Sequence, residues 1–220
     1  MTVWQVIAEE RRMLYSPIGL RLVDDFTGRA PFGAVQAHLD LRRVDMTWQQ
    51  TEISAVRTPS DVITYPGLGR SAHFAAQPAF RYRVRIEADF YRPDYLLNLD
   101  AIEFDVHPYD DDNPPAVLAN LLQDVFLMPA VNYPYPGHVR VLRGQVVGNA
   151  GEPAANVEVT EGAGEKVLTD ARGGFSLPLR WPPLNAALQI DALDHRTGLS
   201  GQINVNLPAA LSVGHIIVIN

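Results

Sequence analysis

The run Phe80-Arg81-Tyr82-Arg83-Val84-Arg85-Ile86-Glu87-Ala88 alternates apolar or aromatic with charged residues from end to end. Successive side chains of a strand point to opposite faces, whereas a helix repeats every 3.6 residues, so this period of two predicts a strand with one buried and one wet face. The same period returns in Val35, Ala37, Leu39 and Leu41, interleaved with Gln36, His38, Asp40 and Arg42, and in shorter form at Leu20 and Leu22 and at Ile102, Phe104 and Val106. Between these runs stand residues suited to turns: Gly28 to Pro31 and Gly33, Pro59, Pro66-Gly67-Leu68-Gly69, and Arg92-Pro93-Asp94. The 16 Gly and 17 Pro of this 220-residue chain thus punctuate strands, and 47% hydrophobic with 20% charged residues predicts a globular chain of one large or two small domains. The expected class is all-β.

The alternation starts again after a break. His107-Pro108-Tyr109-Asp110-Asp111-Asp112-Asn113-Pro114-Pro115 combines helix-blocking prolines with three mutually repelling acids, and Tyr133-Pro134-Tyr135-Pro136-Gly137 reads as a stiff connector whose X-Pro bonds are candidates for cis. Between them, Ala116 to Phe126 fits a short helix through Val117, Leu118, Leu121, Leu122 and Val125, or a Leu-rich strand. Beyond it, Val139, Val141, Gly144 and Val146, the turn Asn149-Ala150-Gly151-Glu152-Pro153, then Val157 and Val159 repeat the skeleton of Leu20, Leu22, Gly28 to Pro31, Val35 and Ala37. The expected architecture is two tandem Ig-like sandwiches, residues 15–106 and 139–220, with an acidic, Pro-rich connector at 107–138; one large sandwich is the alternative. Residues 1–14 form an N-terminal arm: Thr2 and Gln5 have capping-box spacing for a short helix, and an extended arm fits as well. Trp4 is then a local core residue or an anchor in a partner's groove.

The second unit carries a resemblance. Arg143-Gly144-Gln145-Val146, the Gly151-Glu152-Pro153 turn, Val157-Glu158-Val159, then Thr169-Asp170-Ala171-Arg172-Gly173-Gly174-Phe175-Ser176-Leu177 resemble a carboxypeptidase regulatory-like, transthyretin-like domain. The resemblance covers the first half of 139–220 and implies a fold rather than an activity. Gly151 and Pro153 are expected to set a tight hairpin and Gly174 to let the chain turn into Phe175, whose ring would plug the sandwich. Residues 15–106 resemble a more divergent copy through Gly28 and Pro31. The whole arrangement, with Leu127-Met128-Pro129 and Tyr133-Pro134-Tyr135-Pro136-Gly137 between the units, also resembles accessory proteins of phage-tail-like contractile injection systems, which implies a structural or adaptor role in a particle assembled in the cytoplasm.

Chemistry is sparse in this sequence. With no cysteine there is no disulfide framework, thiolate metal site or cysteine nucleophile. A net charge of -7 argues against a general nucleic-acid binder, which needs a concentrated positive field. Lys166 is the only lysine among 18 basic residues, a bias more readily ascribed to base composition than to chemistry. The N-terminus lacks the basic and apolar regions of a signal peptide, and no stretch approaches the ~18 apolar residues that cross a bilayer, so the expected location is cytoplasmic, without membrane insertion. His38, His73, His107, His138, His195 and His215 show no metal-ligand spacing. His195, between Asp194 and Arg196, is the best lone acid-base candidate, and Asp110 to Asp112 lack the ligand spacing and turn glycine of a calcium loop. The tail His215-Ile216-Ile217-Val218-Ile219-Asn220 lacks the Tyr-Arg-Gly-Ser ending of hydroxyisourate hydrolases, and no His-x-His pair is present to serve as in intradiol dioxygenases. Walker, nucleophile-elbow and dinucleotide motifs are missing too. No cofactor and no catalytic residue are therefore expected.

Two surfaces remain as candidate partner-binding sites. One is the arm, with Trp4, Val6 and Ile7. The other is the Arg81, Arg83, Arg85 stripe, whose guanidinium groups stand about 7 Å apart on one strand face and would grip carboxylates, unless Glu87 and cross-strand acids neutralise them. The expected function is non-enzymatic: a protein docking through its arm and sheet edges into a homo- or hetero-oligomeric particle. The alternative is a carbohydrate- or surface-polymer-binding accessory module that stacks ligand on Trp48, Tyr65, Tyr91, Tyr95 or Trp181.

Overall fold

The computed structural model describes residues 15–71, 78–110, 112–115, 122–162 and 164–220. Among them the regular structure is β, apart from two single 3-10 turns at Asp94–Leu97 and Ala209–Ser212. Strands β1 (Gly19–Asp24), β2 (Val35–Arg42), β3 (Trp48–Gln50), β4 (Val56–Arg57), β5 (Val62–Thr64), β6 (Phe80–Ala88), β7 (Tyr91–Pro93), β8 (Ile102–Val106) and β9 (Leu122–Pro129) make one hydrogen-bonded path. Its order is β3-β2-β6-β7-β9-β1-β5-β4, and β8 pairs with the other side of β6. A single pair, Ala88↔Tyr91, joins β6 to β7. The path turns a corner there, so that Leu39, Val84 and Ile86 of one half meet Leu20, Leu22, Ile63, Val125 and Leu127 of the other in a single core. Strand β6 buries Tyr82, Val84 and Ile86 and turns the charged residues outward, as its period of two requires.

Residues 122–129 correct the reading of 107–138 as a connector, and of the two alternatives for the run ending at Phe126, residues 122–126 adopt the Leu-rich strand. They form β9, a central strand pairing parallel with β1 over Gly19↔Leu122 to Asp24↔Leu127 and antiparallel with β7. Val125, Leu127 and Met128 are all buried, because β9 faces the first core on one side and packs against the second unit on the other. Apolar residues on both faces, with Leu122 and Phe126 exposed at 51% and 40% opposite buried Val125 and Leu127, erase the alternation that marks a half-wet strand. The chain is docked at Tyr109 as well: this residue is buried against Tyr15, its N–H donates to the Gly69 carbonyl, and its own carbonyl accepts from Ser71 N–H.

Strands β10 (Arg140–Val147), β11 (Glu158–Glu161), β12 (Lys166–Leu168), β13 (Gly174–Leu179), β14 (Ala187–Leu193), β15 (Ser200–Asn206) and β16 (Gly214–Val218) build the second unit. They form two sheets, β13-β10-β16 and β12-β11-β14-β15, around a separate core of Leu142, Val146, Val157, Val159, Leu177, Ile190 and Ile217. Phe175 is the aromatic ring of that core, and it lies over Gly144, where an added Cβ would come within 2.6 Å of the ring. The left-handed conformation in this motif falls on Gly173, at φ +75°; Gly174, expected to make the turn, is instead the first residue of β13 and pairs with Gln145. Gly28 and Gly151 adopt φ +67° and +85° in their turns, and Pro153 bridges back to Val147 while Pro31 is buried. The Gly151–Pro153 turn does not join two paired strands, because β10 and β11 lie in different sheets. The turn between β1 and β2 likewise carries the chain from one half of the first unit to the other. Each unit is closed by a parallel pair made from its opening and closing strands, β1 with β9 and β10 with β16. The Tyr133–Pro134 and Tyr135–Pro136 bonds are trans; the cis bond among the described residues is Leu207–Pro208.

Candidate interaction surfaces

The arginine stripe lies on β6, whose register with β2 and β8 sets acids opposite it. Asp40 on β2 is buried and accepts from Arg83 Nε at 2.8 Å and Arg85 Nε at 2.9 Å. Arg81 reaches Asp105 at 2.9 Å and Glu103 at 3.2 Å on β8, and the Arg83 guanidinium also lies 4.6 Å from the Trp48 ring centre. Burial disfavours the charge on Asp40, but the hydrogen bonds from Arg85 and Arg83 and their positive charge outweigh it and hold the carboxyl below the usual range. All three guanidinium groups are thus engaged inside the sheet. Arg81, Arg83 and Arg85 come together as placed by the sequence, but as ion-paired groups and not as open donors for a partner's carboxylates.

Trp4, Val6 and Ile7 lie outside the described residues, as does His73. Among the described residues no three of His, Cys, Asp and Glu gather as a metal site would require. His38 lies 3.5 Å from Glu87, and His195 lies 3.4 Å from Glu158. Asp110 turns its carboxylate onto the N–H groups of Asp112 and Asn113, a local turn contact. Of the five aromatics considered as stacking platforms, Tyr65 and Tyr91 are buried, Trp48 and Tyr95 are half-buried, and Trp181 is 74% exposed.

The densest chemistry lies where the two units meet. Asp24 ends the inward series Leu20, Leu22 and Asp24 on β1, and is buried. It accepts from the N–H groups of Phe26 and Thr27 and from the hydroxyls of Tyr91 at 3.2 Å and Tyr133 at 2.9 Å. Burial raises both tyrosines, Tyr91 to about 12, and the nearby carboxylate adds to the rise. Phe26, Phe32, Tyr91, Tyr133 and Tyr135 stack edge to face or tilted around them. From this cluster Tyr135 donates to the Ser176 carbonyl at 3.0 Å, and Ser176 donates to the Val131 carbonyl at 3.1 Å. Three arginines cross the same boundary. Arg180 lies 4.2 Å over the Phe26 ring and donates to its carbonyl, Arg92 bonds Asn156, and Arg196 donates to Asp100 and to the carbonyls of Leu96 and Leu99. The Tyr-Pro-Tyr-Pro segment is therefore a packed wedge between the units.

The sheet edges complete the inventory. Strand β4 ends the first sheet with Val56 exposed and Ile53 exposed just before it, while β16 ends the three-stranded sheet with Ile216 and Val218 exposed.

No protein-family model matches the chain, and no curated protein does. Among solved structures the chain is similar to the Bacillus anthracis TIE protein, at 13% identity and a TM-score of 0.29 over 94% of this chain and 33% of that one. It is also similar to BcpA, the major pilin subunit of Bacillus cereus, at 11% identity and a TM-score of 0.30 over 92% of this chain and 68% of that one. The chain thus spans about a third of the TIE protein. No functional argument follows from likeness this low.

Proposed function

We propose that this chain is a non-enzymatic structural or adaptor protein that docks into a larger particle through its N-terminal residues and its sheet edges. The observation that carries the reading is the character of those edges. Sheets that must stay apart blunt their ends with lysine or proline, or with very short strands. The two-residue β4 is such a short edge, but β16 runs over Gly214–Val218 and exposes Ile216 at 63% and Val218 at 49%. The charged groups offer little alternative, because the arginines of β6 are held by Asp40, Glu103 and Asp105. The Arg, Tyr and Asp junction favours a two-unit body that keeps its shape under load, as a particle component needs. The class of particle, a phage-tail-like contractile injection system, rests on the resemblance around Leu127–Pro129 and Tyr133–Gly137. A carbohydrate-binding reading retains Trp181 as its one exposed platform.

Deletion of residues 1–14 tests the proposal. Light scattering is expected to find the full chain in an oligomer or bound to sheath and tube proteins. The truncated chain, with an unchanged far-ultraviolet spectrum, is expected to be free. Assembly that survives the deletion sinks the role of the arm.

A further inference from the structure

Among the described residues, one side of strand β2 is left open over its first half. The Asp89 N–H bonds the Ala34 carbonyl, and Val35↔Ala88 sets the register, so residues 34, 36, 38 and 40 direct their main-chain groups to β6. Val35, Ala37 and Leu39 direct theirs the other way. On that side β3 pairs only over Asp40–Arg42, and Thr51 takes the Leu39 carbonyl, after which the chain leaves β2 to form β4. The N–H and C=O groups of Val35 and Ala37 and the N–H of Leu39 therefore face a groove of about 350 Å³ between β2 and residues 50–57. Its floor is the rim of the first core: Val35, Ala37 and Ala55 are half-buried apolar residues packed on that core, and Ile63 lies beneath. Unpaired main chain along one wall with uncovered apolar side chains below is the form of a slot for an added strand.

We infer that this slot receives residues 2–7 of a second copy of the chain, a step that rests on the assembly reading above. The segment Thr2-Val3-Trp4-Gln5-Val6-Ile7 is rich in β-branched and aromatic residues and has no proline, glycine or charge. In extended form Trp4 and Val6 share a face and would cover Val35, Ala37 and Ala55, while Gln5 would lie outward beside Gln36 and His38. Tyr15 is pinned, its carbonyl accepting from Gly67 N–H and its ring set against Tyr109. The seven residues from 8 to 14 reach up to roughly 25 Å when extended, enough to pass from one copy into its neighbour. Exchange of the same segment between copies leaves each slot filled, and repeated head to tail it builds a chain of subunits.

The absence of cysteine makes the test direct. Full-length Val35→Cys is mixed with full-length chains bearing one cysteine at Val3, Trp4, Gln5 or Val6, oxidised, and run on a non-reducing gel. Gln36→Cys, on the solvent face, replaces Val35→Cys if the latter disturbs the core. Heterodimers are expected to form on the order of a hundredfold faster than with a collision control at exposed Leu184, since docking raises local concentration from micromolar toward millimolar. The rate is also expected to favour alternate positions of the arm. Formation no faster than the Leu184 control overturns the inference. So does a double-cysteine chain that closes only on itself, which would place the arm in its own slot. If deletion of 1–14 abolishes assembly while these disulfides fail to form, the slot is wrong and the assembly reading stands. If the deletion changes nothing and the disulfides also fail, both are wrong.

Discussion

The two units solve the same problem with different side chains. The second has two separate sheets closed over Leu, Val and Ile with Phe175 at the centre, and its buried polar side chains among the described residues are the hydroxyls of Thr169 and Ser176, each donating to a main-chain carbonyl. The first stretches one hydrogen-bonded path around its core and sets Tyr65, Tyr82, Tyr91, Tyr133 and Phe26 into it, with Asp24 and Asp40 buried at its margins. A tyrosine-rich core brings hydroxyls inside: Asp24 accepts from those of Tyr91 and Tyr133, while the Tyr65 hydroxyl is buried with no partner among the described residues. The first unit also leaves one side of β2 open and supplies Tyr133 and Tyr135 to the junction, while the second exposes its own edge at β16.

The sharpest way to break that contrast is Phe175→Ala, which empties the centre of a core that cannot re-form hydrogen bonds. It is expected to destabilise the second unit by about 3–5 kcal/mol in chemical denaturation. Asp24→Ala tests the polar counterpart. It leaves the Tyr91 and Tyr133 hydroxyls and the Phe26 and Thr27 N–H groups without their acceptor, at a cost of about 2–4 kcal/mol to the first unit. A loss no larger than that of an exposed substitution would show that the tyrosines carry the junction through packing alone. Arg180→Ala removes the contact over Phe26 and is expected to cost about 1–2 kcal/mol, splitting one calorimetric transition into two as the units uncouple.

The pH dependence separates two acids of the first unit. Asp40 sits below the usual carboxylate range when folded, so its stabilisation is complete above that range and is lost as pH falls through the lowered value. Asp40→Asn should therefore flatten the fall in stability below about pH 4, an effect of about 1 kcal/mol. Asp25 behaves oppositely. Burial raises it, with Lys166 opposing, so its protonated form is favoured by folding at low pH and the advantage disappears as pH rises through the raised value. Asp25→Asn is expected to gain no more than about 0.5 kcal/mol at neutral pH, the smallest of these effects.

The strands with one wet face were legible: Phe80 to Ala88, Ile102 to Val106 and Val35 to Arg42 are all strands at the bounds of their alternation. Strand β9 was legible only as the alternative to a helix, because Leu122, Phe126 and Met128 on one face and Val125 and Leu127 on the other leave no period to read. The pairing of the arginine stripe was open from sequence, since whether Asp40 or a partner neutralises Arg83 and Arg85 depends on register. The junction was missed. Its one local signal is Asp24 standing at an inward position after Leu20 and Leu22, a buried acid that demands donors; that Tyr91, Tyr133 and the Phe26 N–H supply them is a matter of long-range topology.

The parallel clasp of each unit bears on how the chain comes off the ribosome. Arg21 and its partner Asp124 are 103 residues apart in sequence, so β1 has no neighbour on that side until β9 has been made. Nor does the second unit close before β16, its last strand, arrives to join β10. Closing loops of this size makes folding slow, on the scale of milliseconds to seconds. A nascent chain therefore waits with unfilled strand edges for most of its synthesis, and the order of waiting is fixed: the first body can close while the second is still unfinished.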